Sequence, residues 1–232
     1  MHVPDGFLDA PTSVATGAVA VVGVGIALRG ARRELDDRTA PLAGLVATFV
    51  FAAQMLNFPV GAGTSGHLLG GALAAVLVGP STAILCLSVV LLVQCLLFAD
   101  GGITAIGTNI TLMGLVAILT AWLVFRGLQA VLPKRMGLVA PLAAVAAYVS
   151  VPVAALGFVG LYAVGGAAPV PLAALAKAMV GWHLLIGFGE AAITGLVVAS
   201  ILAVRPDLVH GARGVLAARR VEVRPPAGKV VG

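Results

Sequence analysis

Apolar residues in this chain fall into seven runs, separated by short polar, glycine-rich or basic breaks. The first run covers residues 12–28, after a PDGF turn, and ends in the hydrophilic stretch RGARRELDDR at 29–38. The second, 41–55, leads into NFPVGAGTSGH at 57–67, which carries no acidic or basic side chain apart from its final histidine. The third, 68–78, is short enough to read as re-entrant on length alone. The fourth covers 83–98 and stops at ADGG, 99–102; the fifth covers 110–125 and stops in the basic stretch 126–135. The sixth, 138–164, contains Pro141 and Pro152 and predicts a kinked helix. After GGAAPVP, a last run at 179–204 gives way to a basic tail. Runs of roughly twenty residues suit helices that cross a hydrocarbon core about 30 Å thick.

Composition turns the pattern into a class. Of 232 residues, 60% are apolar and 10% charged, with a mean hydropathy of +1.11. A soluble domain is about 25% charged, so this chain cannot clothe itself for water. The expectation is an all-α integral membrane protein. Charge then settles the short third run. With seven spans, the loops 29–38 and 126–135 and the tail from Arg205 share one side and gather thirteen of the fourteen lysines and arginines, Lys177 being the other. With six, the 126–135 loop changes sides and the asymmetry collapses. The positive-inside rule therefore predicts seven transmembrane helices, the amino terminus outside and the carboxyl terminus in the cytoplasm. Residues 1–204 are expected to form one transmembrane domain and 205–232 a cytoplasmic basic tail. The net charge of +5 belongs to these loops and calls for no nucleic acid.

The candidate chemistry begins at the amino terminus. Residues 1–11 lack the basic start and apolar core of a cleavable signal, so the mature chain is expected to begin at Met1. A histidine in second place lets the terminal amine, the His2 amide nitrogen and the His2 imidazole close two adjacent chelate rings on one ion. Three nitrogens held nearly in a plane suit Ni(II) or Cu(II) better than Zn(II). His67, on the same outer face and reached through Gly61-Ala62-Gly63-Thr64-Ser65-Gly66, is placed to supply a fourth. Gln54 and Asn57 share one helix face, Gln94 and Asn109 flank the 99–109 loop, and Asp100 caps it. Each of these either orients the imidazoles or hydrogen-bonds between helices, and Asp5 either joins them or closes the PDG turn. His183 and Glu190, seven apart, share one face of the last span. An intramembrane carboxylate needs a partner, and the pair is expected to buttress the site or pack the bundle in preference to ligating directly. His210 is expected in solvent. Cys86 and Cys95 lie on opposite faces of one run, and are neither a disulfide nor a metal pair.

Four stretches carry a family resemblance: MHVPDGF at the amino terminus, QMLNFPVGAGTSGHLLGG at 54–71, LLVQCLLFADGGITAIGTN at 91–109 and HLLIGFGEAAIT at 183–194. Together they resemble the CbiM/NikM family, the membrane substrate-binding (S) components of cobalt and nickel energy-coupling-factor (ECF) transporters. The likeness spans nearly the whole chain. It implies seven transmembrane helices, an amino-terminal strand folded into the outward cavity, and a square-planar metal site of the Met1 amine, the His2 amide and imidazole nitrogens and the His67 imidazole. The implied cargo is Co(II) or Ni(II), with no cofactor, in the cell membrane. The implied partners are an ECF transmembrane scaffold subunit, cytoplasmic ATPase subunits and a small accessory membrane subunit. Cobalt uptake would feed cobalamin biosynthesis. In similar S components an alanine stripe docks the scaffold, which makes the Ala43–Ala47 face a candidate, with internal packing the leading reading of these small residues. The chain has no phosphate-binding GxxxxGK[ST], so ATP hydrolysis falls to partners and the chain is not expected to be an enzyme. Two alternatives remain. A vitamin-binding S component would not need His2; an intramembrane metalloenzyme would need an open metal position and a base.

Overall fold

The computed structural model of the protein describes residues 1–37, 39–61 and 63–223. Arg38 of the first basic loop, Ala62 of the glycine-rich approach and the tail beyond Val223 lie outside the described residues. Helices track the seven apolar runs in order: α1 (Ala10–Glu34), α2 (Thr39–Met55), α3 (Gly71–Val78), α4 (Pro80–Phe98), a continuous 26-residue helix Ile106–Val131, α7 (Met136–Gly165) and α8 (Leu172–Val204). The 26-residue helix starts as α5 (Ile106–Asn109), widens into a π-helical stretch Ile110–Val116 and continues as α6 (Ala117–Val131). Five of these helices are long and apolar enough to cross a membrane; α2 has 17 residues and α3 only 8. At 1.5 Å per residue α3 is about 12 Å long, well short of a bilayer core. The molecule is a multi-pass membrane protein.

Physical causes are visible at the helix ends. Asp9 caps α1, its carboxylate accepting the Thr12 N–H at 2.9 Å. Glu34, at the other end of α1, reaches the head of α4 and accepts the N–H groups of Ser81 and Thr82 at 3.1 and 2.7 Å. A carboxylate there meets the positive end of the α4 dipole. α7 and α8 pack along their length as an antiparallel pair. α7 is one continuous helix with Pro141 and Pro152 inside it.

Most lipid-length helices expose one apolar face, but α3 is buried on every side. It forms the centre of one apolar core with α2, α4, α6 and α7. A second core, at the other end, contains Met1, Val3, Leu69, Met113, Met179 and Ile186. Cys86 and Cys95 are both buried and both free, because α4 is enclosed on two sides. Ala43 faces inward against Cys86, whose thiol lies 3.5 Å from the Ala43 carbonyl, so it serves internal packing. Beyond α8 the chain stays on the bundle: Val209, Ala212 and Val215 are buried in the first core. His210, expected in solvent, is half-buried with its ring 5.5 Å from that of Trp122. The glycine-rich stretch also has more structure than its composition suggests, folding as a small hairpin of β1 (Phe58–Gly61) and β2 (Thr64–Gly66).

Candidate metal centre

The first eight residues thread back from α1 into the bundle and are tied at three levels. Nearest α1, Asp9 donates its N–H to Gly165 at 2.7 Å, Ala167 donates to Phe7 at 3.0 Å, and the Phe7 ring packs on Phe158 and Tyr162. At the turn, the Asp5 carboxylate accepts both the N–H and the hydroxyl of Thr104, at 2.8 and 2.5 Å. These bonds hold Asp5 below the usual carboxylate range. Asp5 thus staples the amino-terminal segment to the 99–109 loop. Deepest, the Asn109 side-chain amide reads the Val3 backbone at two points, accepting its N–H at 2.7 Å and donating to its carbonyl at 3.2 Å. Gly102 adds a third bond to the same carbonyl.

Met1, His2 and Val3 are buried as a result. Burial lowers the Met1 amine from 8.0 to about 4, although the Asp100 carboxylate pulls the other way. At neutral pH that amine is therefore a neutral nitrogen with a free lone pair. Gly101 sits at φ +93°, and a Cβ there would lie 3.0 Å from Asn109 Nδ2 and 3.2 Å from His2 Nδ1. No larger residue fits beneath the histidine without displacing it.

His67 comes directly after the hairpin. Its Nδ1 lies 2.8 Å from the Leu68 carbonyl, which fixes the proton on Nδ1 and leaves Nε2 as a lone pair. Burial holds His67 well below the usual imidazole value, and the Met1 amine and His2 push the same way. The turn after it is held from two helices. The Glu190 carboxylate accepts the N–H groups of Leu69 at 2.8 Å and Gly70 at 2.6 Å, and Gln54 donates to the Leu69 carbonyl at 2.7 Å. Sequence spacing pairs Glu190 with His183, yet its partner is the backbone beside His67. His183 itself bonds the Met179 carbonyl through Nδ1 at 2.7 Å. It stands on the α8 face that carries Met179 and Ile186, the latter close against Gly66.

The rings of His2 and His67 meet with centroids 4.7 Å apart and planes at 83°. Among the described residues, Nε2 of His2, His67 and His183 are buried without a hydrogen-bond partner, as is Nδ1 of His2. That Nδ1 does lie 3.0 Å from Asp100 Oδ1, but off the direction a hydrogen bond requires, so the contact is electrostatic. Asp100 Oδ2 in turn accepts from Asn57 at 3.1 Å. Burial pushes Asp100 up, and the His2 contact, Asn57 and the Met1 amine outweigh it, leaving the carboxyl below its ordinary value. Gln94 is fully buried with neither amide atom partnered among the described residues; nothing in the structure explains its polarity.

The arrangement can hold an ion by an uncommon donor set. Among the described residues no three His, Cys, Asp or Glu side chains gather as a metal cluster. The His2 and His67 imidazoles do meet, with the buried Met1 amine and the His2 amide directly before the first of them in the chain. For imidazole nitrogens about 2 Å from a metal, ring centroids lie roughly 3 Å out, so two rings on adjacent corners of a square stand roughly 4.5 Å apart. The observed 4.7 Å matches that spacing.

Residues 2–208 match the family described as "Cobalt uptake substrate-specific transmembrane region". The chain belongs to this family, CbiM. It is 36% identical, over 95% of its length, to the fused nickel transport protein NikMN of Rhodobacter capsulatus, 67% of which it covers. It is 34% identical, over 90% of its length, to the cobalt transport protein CbiM of Sorangium cellulosum, covering 94% of that protein. The crystal structure of a transition metal transporter superposes with a TM-score of 0.80 at 31% identity, covering 88% of this chain and 93% of that one. Membership of the CbiM family makes the chain a membrane component of metal uptake and not an enzyme.

Proposed function

We propose that this CbiM-family chain is the S component of an ECF transporter, capturing Co(II) or Ni(II) from the outer side for ATP-driven uptake by a scaffold subunit and partner ATPases. The relatives that carry the words cobalt and nickel in their names support both metals, and the fused NikMN relative supports a further membrane subunit beside this one. The ligands are the Met1 amine, the His2 amide and imidazole nitrogens, and the His67 imidazole. One observation carries this reading: the His2 and His67 rings, at opposite ends of a 65-residue separation, are buried edge to face with free ring nitrogens.

Gln94 apart, each remaining residue has a task in this reading. Asn109 and Asp5 hold the amino-terminal segment in place, Glu190 and Gln54 hold the turn behind His67, and Asn57 steadies Asp100 beside His2. His183 closes the site from α8. The planar set demands that the His2 amide proton leave, which Ni(II), Co(II) and Cu(II) induce and Mg(II), Ca(II) and Mn(II) do not. Zn(II) is disfavoured by its tetrahedral preference.

The topology obeys the same logic. Gly70 lies against Val50 of α2, and Gly79 against Glu34 of α1. The stretch from His67 through α3 therefore links the same two levels as α2, which supports seven crossings despite the shortness of α3. Arg32 and Arg33 lie in the last turn of α1, and Arg126 lies in the second half of α6, away from the metal centre. That distribution supports an outward amino terminus and a cytoplasmic tail.

Elemental analysis of the purified protein tests the site. Wild type is expected to hold one Co(II) or Ni(II), and His2→Ala, His67→Ala and a variant with one residue added before Met1 to hold none. Full stoichiometry in all three variants would sink the proposal and favour a different cargo.

A further inference from the structure

The metal centre has a mouth. A cavity of about 440 Å³ opens over it, lined by His2, Asn57, Gly61, Thr64, Ser65 and Asp100 among others. Of the proposed ligands, only His2 lines this cavity; Met1 and His67 lie behind it. Asp100 is the one charged side chain among the described lining residues. Its carboxylate is partly exposed, at 16%, whereas the His2 side chain behind it is 3% exposed. The two are 3.0 Å apart, and Asn57 fixes the second carboxylate oxygen.

We propose that Asp100 is the entry ligand of this transporter, the first protein group to bind the incoming hydrated cation and the one that passes it to His2. The inference rests on the Met1–His2–His67 reading above. A divalent ion arrives carrying tightly bound water, and a buried, all-nitrogen planar site cannot accept it until that water leaves. A carboxylate oxygen is the donor a hydrated ion takes most readily. The Asp100 carboxylate is partly exposed in the cavity wall and touches the first nitrogen ligand with Oδ1, while Asn57 holds Oδ2. Transfer from Asp100 to His2 then needs a shift of only a few ångströms, with no point at which the ion is without a protein donor. The carboxylate also focuses the field of the cavity on the cation, which raises association rates by about tenfold or more.

A plain alternative assigns Asp100 the task of orienting the His2 ring, as carboxylates behind metal-bound histidines do. The two roles separate in kinetics. Rapid mixing of the full-length protein in detergent with Ni(II) alone, monitored by the visible absorption of the planar complex, gives association and dissociation rates. For an entry ligand, Asp100→Asn lowers the association rate about tenfold or more and flattens its dependence on salt, with dissociation changed much less. Asp100→Glu restores a carboxylate and with it most of the association rate. Wild-type association in Asp100→Asn, with the loss confined to faster dissociation, would overturn the proposal. So would an Asp100→Glu protein that associates as slowly as Asp100→Asn. His2→Ala measured alongside keeps the two readings apart: if it binds Ni(II) like wild type, the ligand set itself is wrong, whatever Asp100 does.

Discussion

Met1 carries a terminal amine displaced far from its ordinary protonation. Its amine falls from 8.0 to about 4 because it is buried, so it is uncharged at pH 7 before any metal arrives. A lowered amine pKa means that the unfolded or undocked terminus takes up a proton where the docked one does not. Docking is therefore fully stable above pH 8 and weakens as pH falls toward 4. Hydrogen exchange at Val3 in the metal-free protein is expected to speed up across that window. Metal binding carries a matching signature. At pH 7 the ion displaces the His2 amide proton but none from the amine, so calorimetry in buffers of differing ionisation enthalpy should show one proton fewer than an ordinary, charged amine would release. A count that includes the amine proton would show that Met1 stays charged until the metal binds. This state of Met1 is not legible in the sequence. The position of His2 suggests a chelate, but the burial that neutralises the amine comes from Asn109, Gly101 and Gly102, more than ninety residues away.

At the scale of elements, the turn behind His67 is the part held most tightly. Two backbone N–H groups end on one buried carboxylate, and removing it leaves both unpaired at about 1–3 kcal/mol each. Glu190→Ala is expected to lower the thermal midpoint and to weaken metal binding together, whereas Glu190→Gln, which keeps one acceptor, should lose less of both. Equal metal affinity in Glu190→Ala and wild type would show that the turn keeps His67 in place unaided. The apolar runs announce each helix, because a lipid-length stretch leaves few alternatives. The hairpin Phe58–Gly61 with Thr64–Gly66 shows in the sequence only as a flexible approach. Its pairing is made of backbone bonds in a segment too rich in glycine and proline to show alternation. The Glu190 latch is hidden for a related reason: its partners are N–H groups, which every residue except proline carries.

For the whole molecule, seven apolar segments and one-sided charge give a topology that labelling can test. In a background without Cys86 and Cys95, Ile103→Cys in the loop beside Asp5 should react with a membrane-impermeant maleimide in intact cells. Lys134→Cys, between α6 and α7, should react only after permeabilisation. The reverse pattern, with Lys134→Cys labelled from outside and Ile103→Cys only after permeabilisation, would mean that α3 does not cross and that the count is six. Length alone cannot decide this from sequence, since α3 has 8 residues. In the seven-span reading, the chain from His67 to Gly70 adds to the length of α3 without being helical.

The wide turn at Ile110–Val116 has a consequence of its own. A π-helical stretch holds more residues per turn than an α-helix, and so behaves as a phase shift between the turns on its two sides. Asn109 lies on one side of that shift, and the α6 face packed in the core lies on the other. Regular α winding of the same seven residues would turn Asn109 by about 100° relative to α6. The amide that holds Val3 would then point elsewhere while every apolar contact of α6 survived. Such a protein would insert and pack normally yet leave its amino terminus undocked, a defect of phase and not of chemistry.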